Sequence, residues 1–151
     1  MGNLPSFRIF VFSLVMISVF LAPFMSDAET VPDGAVCAEC GMKVDPESKF
    51  ISYILASDGK KLYFCDVGDM LIFLADKNRE AKGIFVRDYQ TGEWMDGKAS
   101  CYVKNEGFKT PMGWNIAAFK DPAGCGKWGE TKDFGSAMDL IGMGGKKTMR
   151  H

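Results

Sequence analysis

The segment Lys49–Lys77, KFISYILASDGKKLYFCDVGDMLIFLADK, decides the fold. Phe50, Ile51, Tyr53, Ile54 and Leu55 make a β-prone apolar run, Asp58-Gly59 is a strong two-residue hairpin turn, and Leu62-Tyr63-Phe64-Cys65 resumes extended chain. Asp66 is suited to cap a helix, with Asp69 as a second capping group. Met70, Leu71, Phe73 and Leu74 give that helix an apolar side to about Lys77, where Lys82-Gly83 follows as a terminator. Ile84-Phe85-Val86 is then a third strand, and Tyr89 to Trp94 a turn leading into further extended chain. The order is strand, strand, helix, strand.

Downstream the pattern returns more faintly. Ala99–Val103 and Asn115–Phe119 are strand-like, Asp121 to Gly126 is a loop by composition, and Phe134–Leu140 predicts a short helix with Phe134, Ala137, Met138 and Ile141 on one side. The expected class is α+β, built as two ββαβ modules in one compact unit, at about residues 36–90 and 91–141 of a domain spanning 29–141. Residues 142–151, rich in glycine and lysine, predict a flexible tail.

Upstream, residues 7–25 are almost wholly apolar, and Ser26-Asp27-Ala28 offers small residues where a signal peptidase reads. Residues 1–28 are therefore expected to be a signal peptide, with an uncleaved membrane anchor through residues 7–25 as the alternative. Either form implies export. A net charge of −1 gives no sign of a nucleic-acid partner. The chain has five cysteines, an odd number, so in an oxidising setting at least one thiol stays unpaired, binds a metal or pairs with another chain.

Cys37-Ala38-Glu39-Cys40-Gly41-Met42 places two thiols and a thioether within six residues, a set suited to a soft metal ion. The one histidine is His151, so no site of several imidazoles can form. By spacing alone, Cys37 and Cys40 are equally readable as a disulfide, a redox pair, half a zinc site or copper ligands. A four-cysteine zinc site needs a second Cys-x-x-Cys, and Cys65, Cys101 and Cys125 are isolated. Gly41 and Pro46 disfavour the helix that a thioredoxin-like motif requires. Cys101 and Cys125 are candidate disulfide partners. Cys65 is a buried strand cysteine or an auxiliary ligand, Met70 is core, and Trp94, Trp114 and Trp128 are core or partner-facing aromatics.

Several short motifs together resemble the NosL family of nitrous oxide reductase accessory proteins. These are Cys40-Gly41-Met42, Phe64 with Asp66-Val67-Gly68-Asp69-Met70, Val86-Arg87-Asp88-Tyr89 with Thr91-Gly92-Glu93-Trp94, Ala99 with Tyr102-Val103, and Thr110-Pro111-Met112-Gly113 before Ala118-Phe119. The resemblance covers about residues 36–120. It implies a fold of two strand-strand-helix-strand modules related to organomercurial lyase, and periplasmic carriage of copper(I) for maturation of the reductase's copper centres. It also brings in Met112 as a distant thioether. The chain departs from the family in lacking a lipid-anchor cysteine after the apolar run, in adding Cys65, Cys101 and Cys125, and in having no clear strand after Leu140.

Copper(I) favours thiolate and thioether donors, which makes Cys40 the expected principal thiolate and Met42 its neighbour, with Cys37, Met112 and Cys65 as further ligands. No histidine base, phosphate-binding glycine loop or nucleophile elbow is present, so a carrier is expected rather than an enzyme. Its partners are then a copper donor and a copper-accepting assembly factor or reductase. The competing expectation is an exported thiol-disulfide or organometal-cleaving enzyme working through Cys37 and Cys40.

Overall fold

The computed structural model describes residues 29–76 and 79–142. The signal-peptide or anchor segment and the residues beyond 142 lie outside the described residues. Among the described residues, no helix is long and apolar enough to cross a membrane.

Strands β1 (Ser52–Ala56) and β2 (Lys61–Phe64) form the expected hairpin, with Ser52 opposite Phe64 and Leu55 opposite Lys61. Asp58 closes its turn by accepting from the Lys60 amide at 3.0 Å. Helix α1 (Val67–Asp76) follows directly. Strand β3 (Ala81–Arg87) returns antiparallel to β1 with a register shift at Leu55/Ala56, and β4 (Trp94–Asp96) completes a sheet of order β2-β1-β3-β4. Lys82-Gly83, expected to terminate the helix, lies inside β3: extended pairing to β1 outweighs the breaking tendency of one glycine.

The second half is β5 (Cys101–Lys104), β6 (Ile116–Phe119), α2 (Pro122–Gly126) and β7 (Thr131–Lys132), with sheet order β6-β5-β7. In each half the first strand pairs with the second and with the strand after the helix, so the strand-strand-helix-strand order occurs twice. The helix of the second half is not the expected one, however. The segment Asp121 to Gly126 forms α2, because Pro122 suits a first helical turn and Asp121 caps it, accepting from the Ala123 and Gly124 amides at 3.1 and 3.0 Å. The region expected as a helix from Phe134 is instead a 3₁₀ turn over Ala137–Ile141, ended by left-handed Gly142. Its apolar side is still inward: Ala137 is fully buried, and Phe134, Met138 and Ile141 pack on the main core.

That core lies between α1 and the first sheet, around Ile54, Phe64, Met70, Leu71, Ile84 and Val86. A smaller aromatic cluster under the second sheet joins Phe108, Phe119 and Trp128. Asp88 links the halves. It bridges to Ala118 in parallel, and its carboxylate accepts from Thr91 and from the Lys120 amide at 3.0 Å. Cys101 and Cys125 are disulfide-bonded, tying β5 to α2. These are the two cysteines expected as disulfide partners.

Candidate metal centre

Cys37 and Cys40 lie in a tight loop pinned at both ends. Val36 bridges Lys43, the Cys37 amide donates to the Met42 carbonyl at 2.7 Å, and the Gly41 amide donates to the Cys37 carbonyl at 2.9 Å. Gly41 closes the turn with φ +75°, a conformation that costs glycine little. The loop is laid against the edge of β2 by a 2.8 Å bond from the Ala38 amide to the Tyr63 carbonyl. This brings its thiols to the end of β2, where Cys65 leads into α1.

The result is a cluster of Cys37, Cys40, Cys65 and Asp69, whose donor atoms all lie within 4.8 Å of one another. Cys40 Sγ stands 3.5 Å from Cys65 Sγ, and Asp69 Oδ2 is 3.3 Å from Cys37 Sγ and 3.7 Å from Cys65 Sγ. Cys37, Cys65 and Asp69 are each 2% exposed, whereas Cys40 is partly open. All three thiols are free. Burial pushes the Cys40 and Cys65 thiols above the ordinary range, Cys65 strongly, and the neighbouring thiols add to the rise at Cys65.

Asp66 and Asp69, expected as a capping pair, have separate jobs. Asp66 is the cap. Its Oδ1 accepts from the Gly68 amide at 3.0 Å, and its Oδ2 from the Met112 amide at 3.1 Å, which fastens the 110–115 loop to the start of α1. Burial raises the Asp66 carboxyl above its usual range against the pull of those bonds and of Thr110. Asp69 is turned into the cluster, and the indole Nε1 of Trp114 donates to its Oδ1 at 2.9 Å. Gly68 makes room for that indole: a Cβ there would overlap Cγ and Cδ1 of Trp114. Trp114 therefore serves the site rather than the core alone.

The sequence motif had drawn attention to Cys40, Met42, Cys37 and Met112, with Cys65 as an outlying candidate. The structure brings together Cys37, Cys40 and Cys65, and adds Asp69. Cys65 is buried in the core just after β2, and its Sγ also faces Cys40 Sγ and Asp69 Oδ2. Met42 and Met112 are 50% and 39% exposed, and with Val36 they are the large hydrophobic residues on the surface among the described residues. Asp69 was missed because its place in the first helical turn already explained a carboxylate. The signal that reveals it is spacing: Cys65 and Asp69 are four residues apart, one turn, where side chains meet at a helix start.

The sequence pattern of the NosL family matches residues 28–138. This chain is a member of the NosL family. A search of curated proteins finds no match. Among solved structures, the fold is similar to that of the copper chaperone NosL from Shewanella denitrificans, at 18% identity and a TM-score of 0.64, over 72% of this chain and 92% of that one. The structural match agrees with the α+β reading made from the hairpin outward, and both matches are to NosL proteins.

Proposed function

We propose that this NosL-family member is an exported carrier of copper(I), which it holds through sulfur and passes on by ligand exchange. The observation that carries the reading is the three-thiol cluster, assembled from a loop and a helix start, with one of its sulfurs open to solvent. A soft monovalent ion is satisfied by two or three such donors and needs no hard ligand. Cys40 is the principal thiolate because it is the sulfur an incoming donor can reach. Cys37 and Cys65 complete the pocket, and the exposed thioethers of Met42 and Met112 supply uncharged, unprotonated donors for taking up or releasing the ion.

The solved neighbour is described as a copper chaperone, which supports the same reading. The partners are a copper donor and a copper-accepting assembly factor or reductase, with nitrous oxide reductase maturation as the client pathway that the family name suggests. A disulfide between Cys101 and Cys125 suits the oxidising periplasm. The enzyme alternative through Cys37 and Cys40 is less well served by the geometry, since Cys37 is buried and Cys40 Sγ also faces Cys65 Sγ at 3.5 Å.

Anaerobic titration of the reduced protein with copper(I) against a chromophoric chelator tests this. One tightly held ion per chain is expected, with Cys40→Ser abolishing tight binding and Met42→Ala weakening it without unfolding the protein. Unchanged affinity in both variants overturns the proposal.

A further inference from the structure

We infer that the same cluster also accepts a divalent closed-shell ion, zinc(II) or cadmium(II), as a closed four-donor site of Cys37, Cys40, Cys65 and Asp69. The inference rests on the thiol cluster being the metal site proposed above, and extends it to a second class of cargo. Copper(I) gives no role to Asp69, because a carboxylate is a hard donor and thiolates alone satisfy that ion. A divalent ion uses it. Three thiolates and one carboxylate make a tetrahedral donor set of the kind zinc takes, and two positive charges offset more of the buried negative charge than one.

The distances agree. Metal–sulfur bonds of about 2.3 Å and metal–oxygen bonds of about 2.1 Å place tetrahedral donors about 3.6–3.8 Å apart. The observed separations are 3.5 Å for Cys40 Sγ to Cys65 Sγ, 3.3 Å for Cys37 Sγ to Asp69 Oδ2, and 3.7 Å for Cys65 Sγ to Asp69 Oδ2. Those three separations are within a few tenths of an ångström of coordinating spacings, and all four donors lie within 4.8 Å of one another before any ion arrives.

A second observation points the same way. The Trp114 indole occupies only Oδ1 of Asp69, leaving Oδ2 aimed at two sulfurs, and Gly68 is bare so that the indole can reach it. A ligating carboxylate is commonly held by such an outer hydrogen bond, which fixes the direction of its free oxygen. Binding is simple substitution: three S–H protons pass to solvent as three metal–sulfur bonds form, with no change of oxidation state.

The test uses the reduced protein under anaerobic conditions with cobalt(II), zinc(II) and cadmium(II), each added alone. Cobalt(II) is expected to give the intense visible bands of a tetrahedral thiolate complex, and zinc(II) to bleach them one for one. Asp69→Asn keeps the side-chain shape and the bond from Trp114, and is expected to lower zinc(II) and cadmium(II) affinity by more than about 100-fold, while copper(I) affinity changes less than about threefold. Trp114→Phe leaves all four donors in place and is expected to lower divalent affinity by about tenfold. Circular dichroism of each variant reports that it is folded. Octahedral cobalt(II) in the unaltered protein, or equal loss of both metals in Asp69→Asn, overturns the inference. Loss of tight copper(I) binding with the tetrahedral cobalt(II) spectrum intact instead overturns the copper proposal and leaves this one standing.

Discussion

At the scale of single residues, the chemistry of the site depends on protons as much as on sulfur. Burial raises the Cys40 and Cys65 thiols above their ordinary value of 9.0, so both carry protons near neutral pH. On the proposed reading copper(I) displaces those protons, which compete more strongly as pH falls. Apparent copper affinity is therefore expected to rise with pH, by about tenfold per unit for each proton displaced, which chelator competition between about pH 6 and pH 8 measures. A thioether-only site is pH-independent over that range. Gly68 supplies a different check. Gly68→Ala drives a Cβ into the Trp114 indole, breaks its bond to Asp69, and is expected to shift tryptophan emission and weaken divalent metal binding by about tenfold or more. Cys37 and Cys40 were legible as candidate donors because Cys-x-x-Cys-Gly-Met is local. Asp69 was masked by its place in the first helical turn despite its one-turn spacing from Cys65, and Trp114 takes its meaning from a contact across 45 residues that no periodicity announces.

At the scale of elements, the start of α1 joins stability to function. Asp66 caps the helix and anchors the loop that carries Met112 and Trp114, so Asp66→Ala removes two hydrogen bonds from a buried group. A loss of about 2–3 kcal/mol is expected, read as a lower thermal midpoint, together with weaker metal binding as the loop comes away. The same element was readable from the outset, because hairpin turn, N-cap and apolar face each carry a strong local rule and all agree. The second module was less so. Asp121-Pro122-Ala123-Gly124-Cys125-Gly126 has two glycines in six residues, which composition assigns to a loop, yet an Asp cap, a favourable proline and a disulfide at Cys125 hold it as a short helix. The two-residue strand β7 is held by pairing to β5 rather than by its own sequence. Tertiary pairing decided β7 and is invisible to a reading of neighbours, whereas α2 carried local signals in Asp121 and Pro122 that its two glycines outweighed.

At the scale of the whole molecule, five cysteines divide into two populations with opposite fates. Cys101 and Cys125 are bonded in the second module, and Cys37, Cys40 and Cys65 remain thiols in the first. Closing a loop with a sequence separation of 24 is worth about 3.5 kcal/mol on chain-entropy grounds. The double variant Cys101→Ser, Cys125→Ser is expected to lose about that much stability by denaturant titration, while still binding copper(I) with unaltered stoichiometry. Loss of copper in a variant that remains folded would show that the two populations are not independent.

The donors of the cluster come from chain segments that meet only because the loop at residues 36–43 lies along β2 and α1 starts where it does. In an unfolded chain the Cys37–Cys40 pair and the Cys65–Asp69 pair drift apart, so the full grip on an ion exists only in the native state, and every captured ion tightens the fold by mass action. Freight and vehicle are then one thermodynamic unit: a loaded molecule resists heat better than an empty one, and a molecule that melts sheds its passenger in the same event.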